Sequence, residues 1–241
     1  MQPNLFTSSP SVQSSRILYT PSPFARSSLL HLQEVGSLTA IKPHTSKREK
    51  LQSFLCFMVE DGEGELVYEG KKYDLNTGDV VFIDCRKAYS HSTGMNPNTE
   101  LWSLRWCHFY GPSMPAIYAK YCERGGLPVI RGDDVSVDMD LGDDMGHGAD
   151  VSQYAAILTD IYTLASSSDY IRDMRINGKL NDLLTLLMES SWHREAHTNA
   201  PKKMDISSVK SFLDEHYKEK LSLESVASHF FIDKHYLARL F

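Results

Sequence analysis

No apolar run in the 241 residues approaches the roughly 18 that a membrane-crossing helix needs, which speaks against a helical span. The start also lacks a charged stretch followed by an apolar one, so the expected location is the cytoplasm. Cysteine is scarce: Cys56, Cys85, Cys107 and Cys122 form no CxxC pair and no metal-like spacing, which excludes a disulfide framework or zinc site. Reduced, mostly buried thiols are expected instead. A basic excess is missing too, because 25 Lys and Arg against 31 Asp and Glu leave a formal charge of −6. That balance excludes a protein that coats nucleic acid non-specifically, since such binding rests on positive surface. A small DNA-reading module stays open because the acid is unevenly placed: residues 131–150 hold seven aspartates and no lysine. A calcium loop fails there on spacing. With Asp138 as first ligand the twelfth position is Ala149, where an EF-hand needs a bidentate Glu, so a solvated acidic loop is expected.

What is present organises the chain. A hydrophobic content of 41% suffices for a sizeable core. Residues 1–28 ("TSSPSVQSS", "YTPSPFARSS") are rich in Ser, Pro and Thr without apolar periodicity, which predicts a flexible arm. Residues 29–130 carry short β-type runs, "LLHLQEVGSLTAI", "SFLCFMVEDGEGELVYEGKKYDL", "GDVVFID" and "LWSLRWCHFY", a pattern of sandwiches and barrels. Gly62 and Gly64 in "EDGEGE" predict a hairpin, and Asn76 to Asp79 ("NTGD") a further turn. From 151 to 194 the period becomes helical. Ile157, Ile161 and Leu164 share a face of one helix, and Ile176, Leu180, Leu183, Leu184 and Leu187 form a broader stripe on a second. That stripe is wide enough to pack on the strand domain and still meet a second copy, so a homodimer is expected. Residues 195–203 read as a linker.

Residues 204–241 return to helical signals. Ile206, Val209, Phe212 and Leu213 form an apolar face; Ser222 can cap a helix whose buried side is Leu223, Val226, Ala227 and Phe230. Asp233 can cap another in which Leu237, Leu240 and Phe241 point one way while His235, Ala238 and Arg239 point the other. This is a helix-turn-helix pattern, and a generic three-helix hairpin bundle is the alternative. Five Lys and Arg against six Asp and Glu give the segment no basic footprint, and "HFFID" lacks the Gly such turns often use.

The stretch "YKEKLSLESVASHFFIDKHYLARLF" resembles the first helix-turn-helix of the AraC/XylS family of bacterial transcription regulators, through Leu221, Leu223, Val226, Ala227, Tyr236, Leu237, Arg239, Leu240 and Phe241. Asp233 stands where that family usually has Ser; both are good caps. Upstream, "GEGELVYEGKKYDLNTGDVVFID" and "LWSLRWCHFYG" look like the family's sugar-sensing, cupin-type N-terminal domain. The resemblance implies an α+β chain: a cupin-like β-barrel over 29–130, the acidic loop 131–150, a helical dimerisation region over 151–194 and an incomplete helix-turn-helix domain over 204–241. It places Lys234, His235, Ala238 and Arg239 at DNA, where Arg can pair with guanine and Ala can touch a thymine methyl. Because the family's DNA-binding domain holds two such modules, the final stretch is expected to label ancestry better than it binds an operator.

Cupin-type barrels can be metal enzymes or ligand cages, and the residues favour the cage. The chain contains no HxH, and in the second cupin motif Asp84, Arg86 and Tyr89 occupy the Pro, Gly and His positions. A metal site would need His44, His91 and His108 to converge, so neither a cofactor nor an enzymatic activity is expected. Strand alternation puts Trp102, Leu104, Trp106 and His108 on one face, an aromatic surface suited to the C–H side of a sugar. The resemblance implies that Trp106 stacks on the effector, that Arg48 supplies a guanidinium, and that His91 takes the position of a hydrogen-bonding Tyr. The family's HxY appears here as Tyr89-Ser90-His91, so the expected ligand set is Arg48, Tyr89, His91, Trp102 and Trp106, and arabinose itself is disfavoured. The reading is a transcription regulator responsive to a small metabolite, a sugar by preference. Its rivals are a sensor and dimerisation fragment without DNA binding, and a cupin-type metal enzyme. A core in which Trp102, Trp106 and Tyr89 simply fill the barrel is the structural alternative.

Overall fold

The computed structural model describes residues 11–94, 101–132 and 151–191, together with 210, 212–214, 216, 217, 221–229 and 237. The chain divides into two compact units, Met1–His193 and Arg194–Phe241. In the larger, ten strands are described: β1 (Val12–Leu18), β2 (His31–Ala40), β3 (Thr45–Arg48), β4 (Phe54–Asp61), β5 (Gly64–Tyr68), β6 (Lys71–Leu75), β7 (Val80–Asp84), β8 (Tyr89–Thr93), β9 (Ser103–Tyr110) and β10 (Val129–Ile130). Four helices accompany them: α1 (Pro23–Ser28), α2 (Met114–Glu123), α3 (Val151–Ser166) and α4 (Arg172–Ser190). The smaller unit carries α5 (Leu223–His229).

The strands form two antiparallel sheets, one ordered β1-β2-β9-β4-β7-β10 and the other β3-β8-β5-β6. The two sheets face one another across a shared core. Alternation along the central strands explains the layering. In β4, Leu55, Phe57 and Val59 join Leu66, Tyr68 and Leu75 of the second sheet in one core, whereas Phe54, Cys56 and Met58 join the helices in another. β7 divides the same way, with Val81 and Ile83 between the sheets and Val80 and Phe82 under the helices. A strand covered on both faces reads as an unbroken apolar run, which is why "FLCFMV" and "VVFI" stand out in the sequence. Each such side chain contributes about 1.5–3 kcal/mol through burial. Three of the four thiols are buried, and Cys122 is exposed.

Glu69 and Gly70 both have positive φ (48° and 78°), as a two-residue type I′ turn requires, and they join β5 to β6 with Tyr68 opposite Lys71. The hairpin therefore lies there and not at Gly62–Gly64, where the chain passes from one sheet to the other. Gly64 is demanded by packing, since a Cβ would overlap the six-membered ring of Trp102. The "NTGD" turn forms as read: Asp79 accepts from the Asn76 amide at 2.9 Å and pairs with Arg131 at 2.7 Å.

Residues 12–28 correct the flexible-arm expectation, because they hold β1 and α1. β1 pairs with β2 from Val12↔Ala40 to Leu18↔Glu34. Ser22 caps α1 by accepting from the Ala25 amide, and Pro23 begins it. The segment is pinned to α4: Asp173 accepts from the Tyr19 hydroxyl at 2.7 Å and the Ser22 amide at 3.1 Å, and the Leu30 amide donates to Asn177 at 3.0 Å.

On α3 the buried face is Tyr154, Leu158, Ile161 and Ala165, turned from the expected Ile157–Ile161–Leu164 line; Ile157 and Leu164 are partly buried beside it. On α4, Ile176, Leu180, Leu183, Leu184 and Leu187 are all buried within the chain. The stripe expected to serve both the core and a second copy is thus consumed by the core. In the smaller unit, Ser222 and Ser225 cap reciprocally: the Ser225 amide donates to Ser222 Oγ at 3.0 Å, and the Ser222 amide to Ser225 Oγ at 2.9 Å. Val226, Ala227 and Leu237 are buried there with Phe212, Leu213 and Leu221 against them, while Leu223, expected inside, is exposed.

Candidate functional site

Between the two sheets lies a cavity of about 260 Å3. Every strand that lines it does so at alternate positions, as the pleat requires. β1 supplies Val12, Ser14 and Arg16; β2 supplies Glu34 and Leu38; β4 supplies Leu55 and Phe57; and β9 supplies Leu104, Trp106 and His108. From the second sheet come Ser46 and Arg48 of β3 and Tyr89 and His91 of β8, with His44 just before β3. Gly36, between Glu34 and Leu38 on the inward side of β2, leaves room for Trp106: a Cβ there would sit 2.8 Å from its Cζ2. At about 260 Å3 the space lies just below the usual range for drug-sized ligands, so it suits a compact metabolite.

The polar groups form one network around Glu34. Arg16 Nη2 donates to Glu34 Oε2 at 2.6 Å, and the Trp106 indole N–H donates to Oε1 at 3.1 Å. Arg48 Nη1 stands 3.9 Å from Oε2, beyond hydrogen-bond reach. Burial opposes ionisation of Glu34, but the bond from Arg16 and the nearby positive charges outweigh it and hold its carboxyl below the usual range. The histidines go the other way. Burial pushes His91 down to about 3, helped by His44, Arg48 and His108, and pushes His108 down to about 4; His44 is also lowered by burial. All three imidazoles are therefore neutral near pH 7. His108 Nδ1 lies 3.0 Å from Ser53 Oγ, whereas buried His91 Nδ1 has no hydrogen-bond partner among the described residues. The His91 ring sits among Phe57, Tyr89 and Trp102, with centroids 5.4, 6.4 and 5.8 Å away. Burial and the neighbouring Cys85 push the Tyr89 phenol upward, so it stays a hydroxyl.

Of the five ligand-site residues expected from sequence, Arg48, Tyr89, His91 and Trp106 line this one cavity. Trp102 does not. It is fully buried over Gly64 between the sheets, so its aromatic character serves the core. Lys234, His235, Ala238 and Arg239 lie outside the described residues, as do residues 133–150 of the acidic stretch and the linker 195–203. Sequence reasoning missed Ser14, Arg16 and Glu34. The Val12-Gln13-Ser14-Ser15-Arg16 alternation carries too little apolar signal to announce a strand, because its inward positions face a cavity. In the sequence His44 figures only as a possible metal ligand, and His108 as that and as part of the aromatic face of β9. They share the cavity with His91 and Glu34, yet among the described residues no three His, Cys, Asp or Glu side chains are arranged to hold a metal ion.

No protein-family model matches the chain, and no curated protein matches it at significance. Solved structures resemble it loosely. An AraC-like transcriptional activator, CuxR, is 11% identical with a TM-score of 0.44, over 86% of this chain and 68% of that one. A cupin superfamily protein from Desulfitobacterium hafniense is 11% identical with a TM-score of 0.33, over 44% of this chain and 84% of that one. The Cupin_2 domain of an XRE family transcriptional regulator from Enterobacter cloacae is 12% identical with a TM-score of 0.31, over 42% of this chain and 98% of that one. Likenesses this loose assign no function, and the functional reading rests on the cavity and the sequence.

Proposed function

We propose that the chain is a ligand-responsive transcription regulator of AraC type, with a small-metabolite sensor in the larger unit and a DNA-reading helix-turn-helix in the smaller. The observation that carries the sensor half is the meeting of Arg48, Tyr89, His91 and Trp106, drawn from three strands of two sheets, around one cavity. The aromatic wall of Trp106 suits the C–H side of a hydroxylated molecule, and Ser14, Ser46 and the neutral histidines offer hydrogen bonds to its hydroxyls. The role is binding and not catalysis. Cys56 and Cys85, which do not line the cavity, are buried thiols pushed up to about 12 and about 11, so neither is a thiolate at neutral pH.

The DNA half is supported by the sequence pattern around α5, by its reciprocal serine cap and by the buried Ala227 that permits close helix approach. Ligand must favour one arrangement of the protein over another to alter DNA affinity, otherwise nothing shifts. A homodimer completes the scheme, since paired half-sites call for paired readers. Selection from a random-sequence duplex library with and without bound metabolite, followed by gel shift at fixed salt and native mass spectrometry, tests it. Enrichment of a half-site pattern whose affinity responds to ligand supports the regulator. A dimer that binds ligand but enriches no sequence supports the sensor fragment instead.

A further inference from the structure

The charges around the cavity do not balance. Two guanidinium groups, Arg16 and Arg48, face a single lining carboxylate, Glu34. Glu34 is already engaged by Arg16 at 2.6 Å and by the Trp106 indole at 3.1 Å, while Arg48 stands off at 3.9 Å and makes no hydrogen bond among the described residues. The remaining titratable groups on the wall leave this surplus untouched, because burial keeps the imidazoles of His44, His91 and His108 neutral and Tyr89 protonated. The cavity therefore carries one net positive charge, placed on the guanidinium without a close partner. His91 lines the same cavity, two residues beyond Tyr89, which pairs with Arg48 across the β3–β8 ladder; the His91 Nδ1 is itself closed off and has no hydrogen-bond partner among the described residues.

We infer that the cavity takes a small hydroxylated monocarboxylate, a sugar acid in preference to a neutral sugar, with its carboxylate on Arg48 and a hydroxyl on His91. This deepens the sensor reading and rests on it. A planar guanidinium receives a carboxylate through two parallel N–H···O bonds, and such charge-assisted bonds are stronger than those to a neutral hydroxyl. A neutral sugar leaves the surplus charge uncompensated and forfeits those bonds. A dianion overshoots the balance and meets Glu34.

Calorimetric titration of the whole chain with matched pairs tests this: glucose against gluconate and glucuronate, galactose against galacturonate, arabinose against arabinonate. The acids bind about tenfold or more tighter than their neutral partners. Arg48→Gln brings each pair to parity, and Arg48→Lys, which keeps the charge but not the fork, retains part of the preference. Melting curves that match wild type show that both variants fold. Parity of acid and neutral sugar in wild type overturns the inference, as does an acid preference that survives Arg48→Gln, or a panel in which no acid binds. Neutral sugars that bind at least as tightly as their acids, in a Trp106-dependent way, overturn the anion assignment and leave the sensor reading standing. Acids that bind through Arg48 without altering DNA affinity do the reverse.

Discussion

Individual side chains report how tightly the inter-sheet space is filled. Trp102 packs on the bare backbone of Gly64 with no room for a methyl group. Gly64→Ala should cost about 1–3 kcal/mol, read as a lower urea midpoint with an unchanged m-value. Trp102 is fully buried and its indole N–H has no partner among the described residues, so it packs as a core residue where Trp106 lines the cavity, a difference that residue type and strand face alone do not reveal. The histidines give a pH signature. His91 and His108 fall from an ordinary 6.5 to about 3 and about 4 on folding, so between those limits the unfolded chain binds protons that the folded chain refuses. Stability is full above pH 6.5 and falls as the pH drops toward 4, with a slope approaching ~1.4 kcal/mol per pH unit for each histidine. Glu34, held below its usual range, adds a loss at lower pH still, as it is protonated through its depressed value. Denaturant melts from pH 7 to 4 check this, and His91→Gln should flatten the curve by one proton.

Secondary-structure elements differ in how openly the sequence declares them, and the cause is what each inward position meets. β4 and β7 are sandwiched between two cores and announce themselves as apolar runs. α4 likewise shows a stripe that the fold buries completely. β1 hides because its inward residues are Val12, Ser14 and Arg16, two of them polar, and because it depends on pairing with β2. A cavity erases the pattern that a filled core writes, so the segment read as an arm proves to be part of the candidate site. Its attachment is testable: Asp173→Ala removes the acceptor for both the Tyr19 hydroxyl and the Ser22 amide, about 1–2 kcal/mol of local anchoring. Limited proteolysis should then cut within residues 19–30 faster than in wild type, with the rest of the larger unit intact. In the smaller unit, Ser222→Ala breaks the reciprocal cap and should lower the stability of α5 by about 1 kcal/mol, seen as an earlier loss of helical signal on heating.

At the scale of the whole molecule, two compact units with different chemistry share one chain. The larger places four residues chosen from sequence around one cavity and adds Arg16 and Glu34, which no linear pattern marked because their pairing exists only across the β1–β2 ladder. The expected dimer stripe on α4 is used up inside the chain, so a pairing of copies has to use other surface. The regulator account stands or falls first on whether the cavity holds a metabolite. Isothermal titration of a panel of sugars and sugar acids against the wild-type chain and Trp106→Ala measures this most directly. The account predicts saturable binding by wild type, weakened by about an order of magnitude in the folded variant through loss of the aromatic wall and its bond to Glu34. Binding undiminished by the substitution, or no binding by any member of the panel, would contradict it.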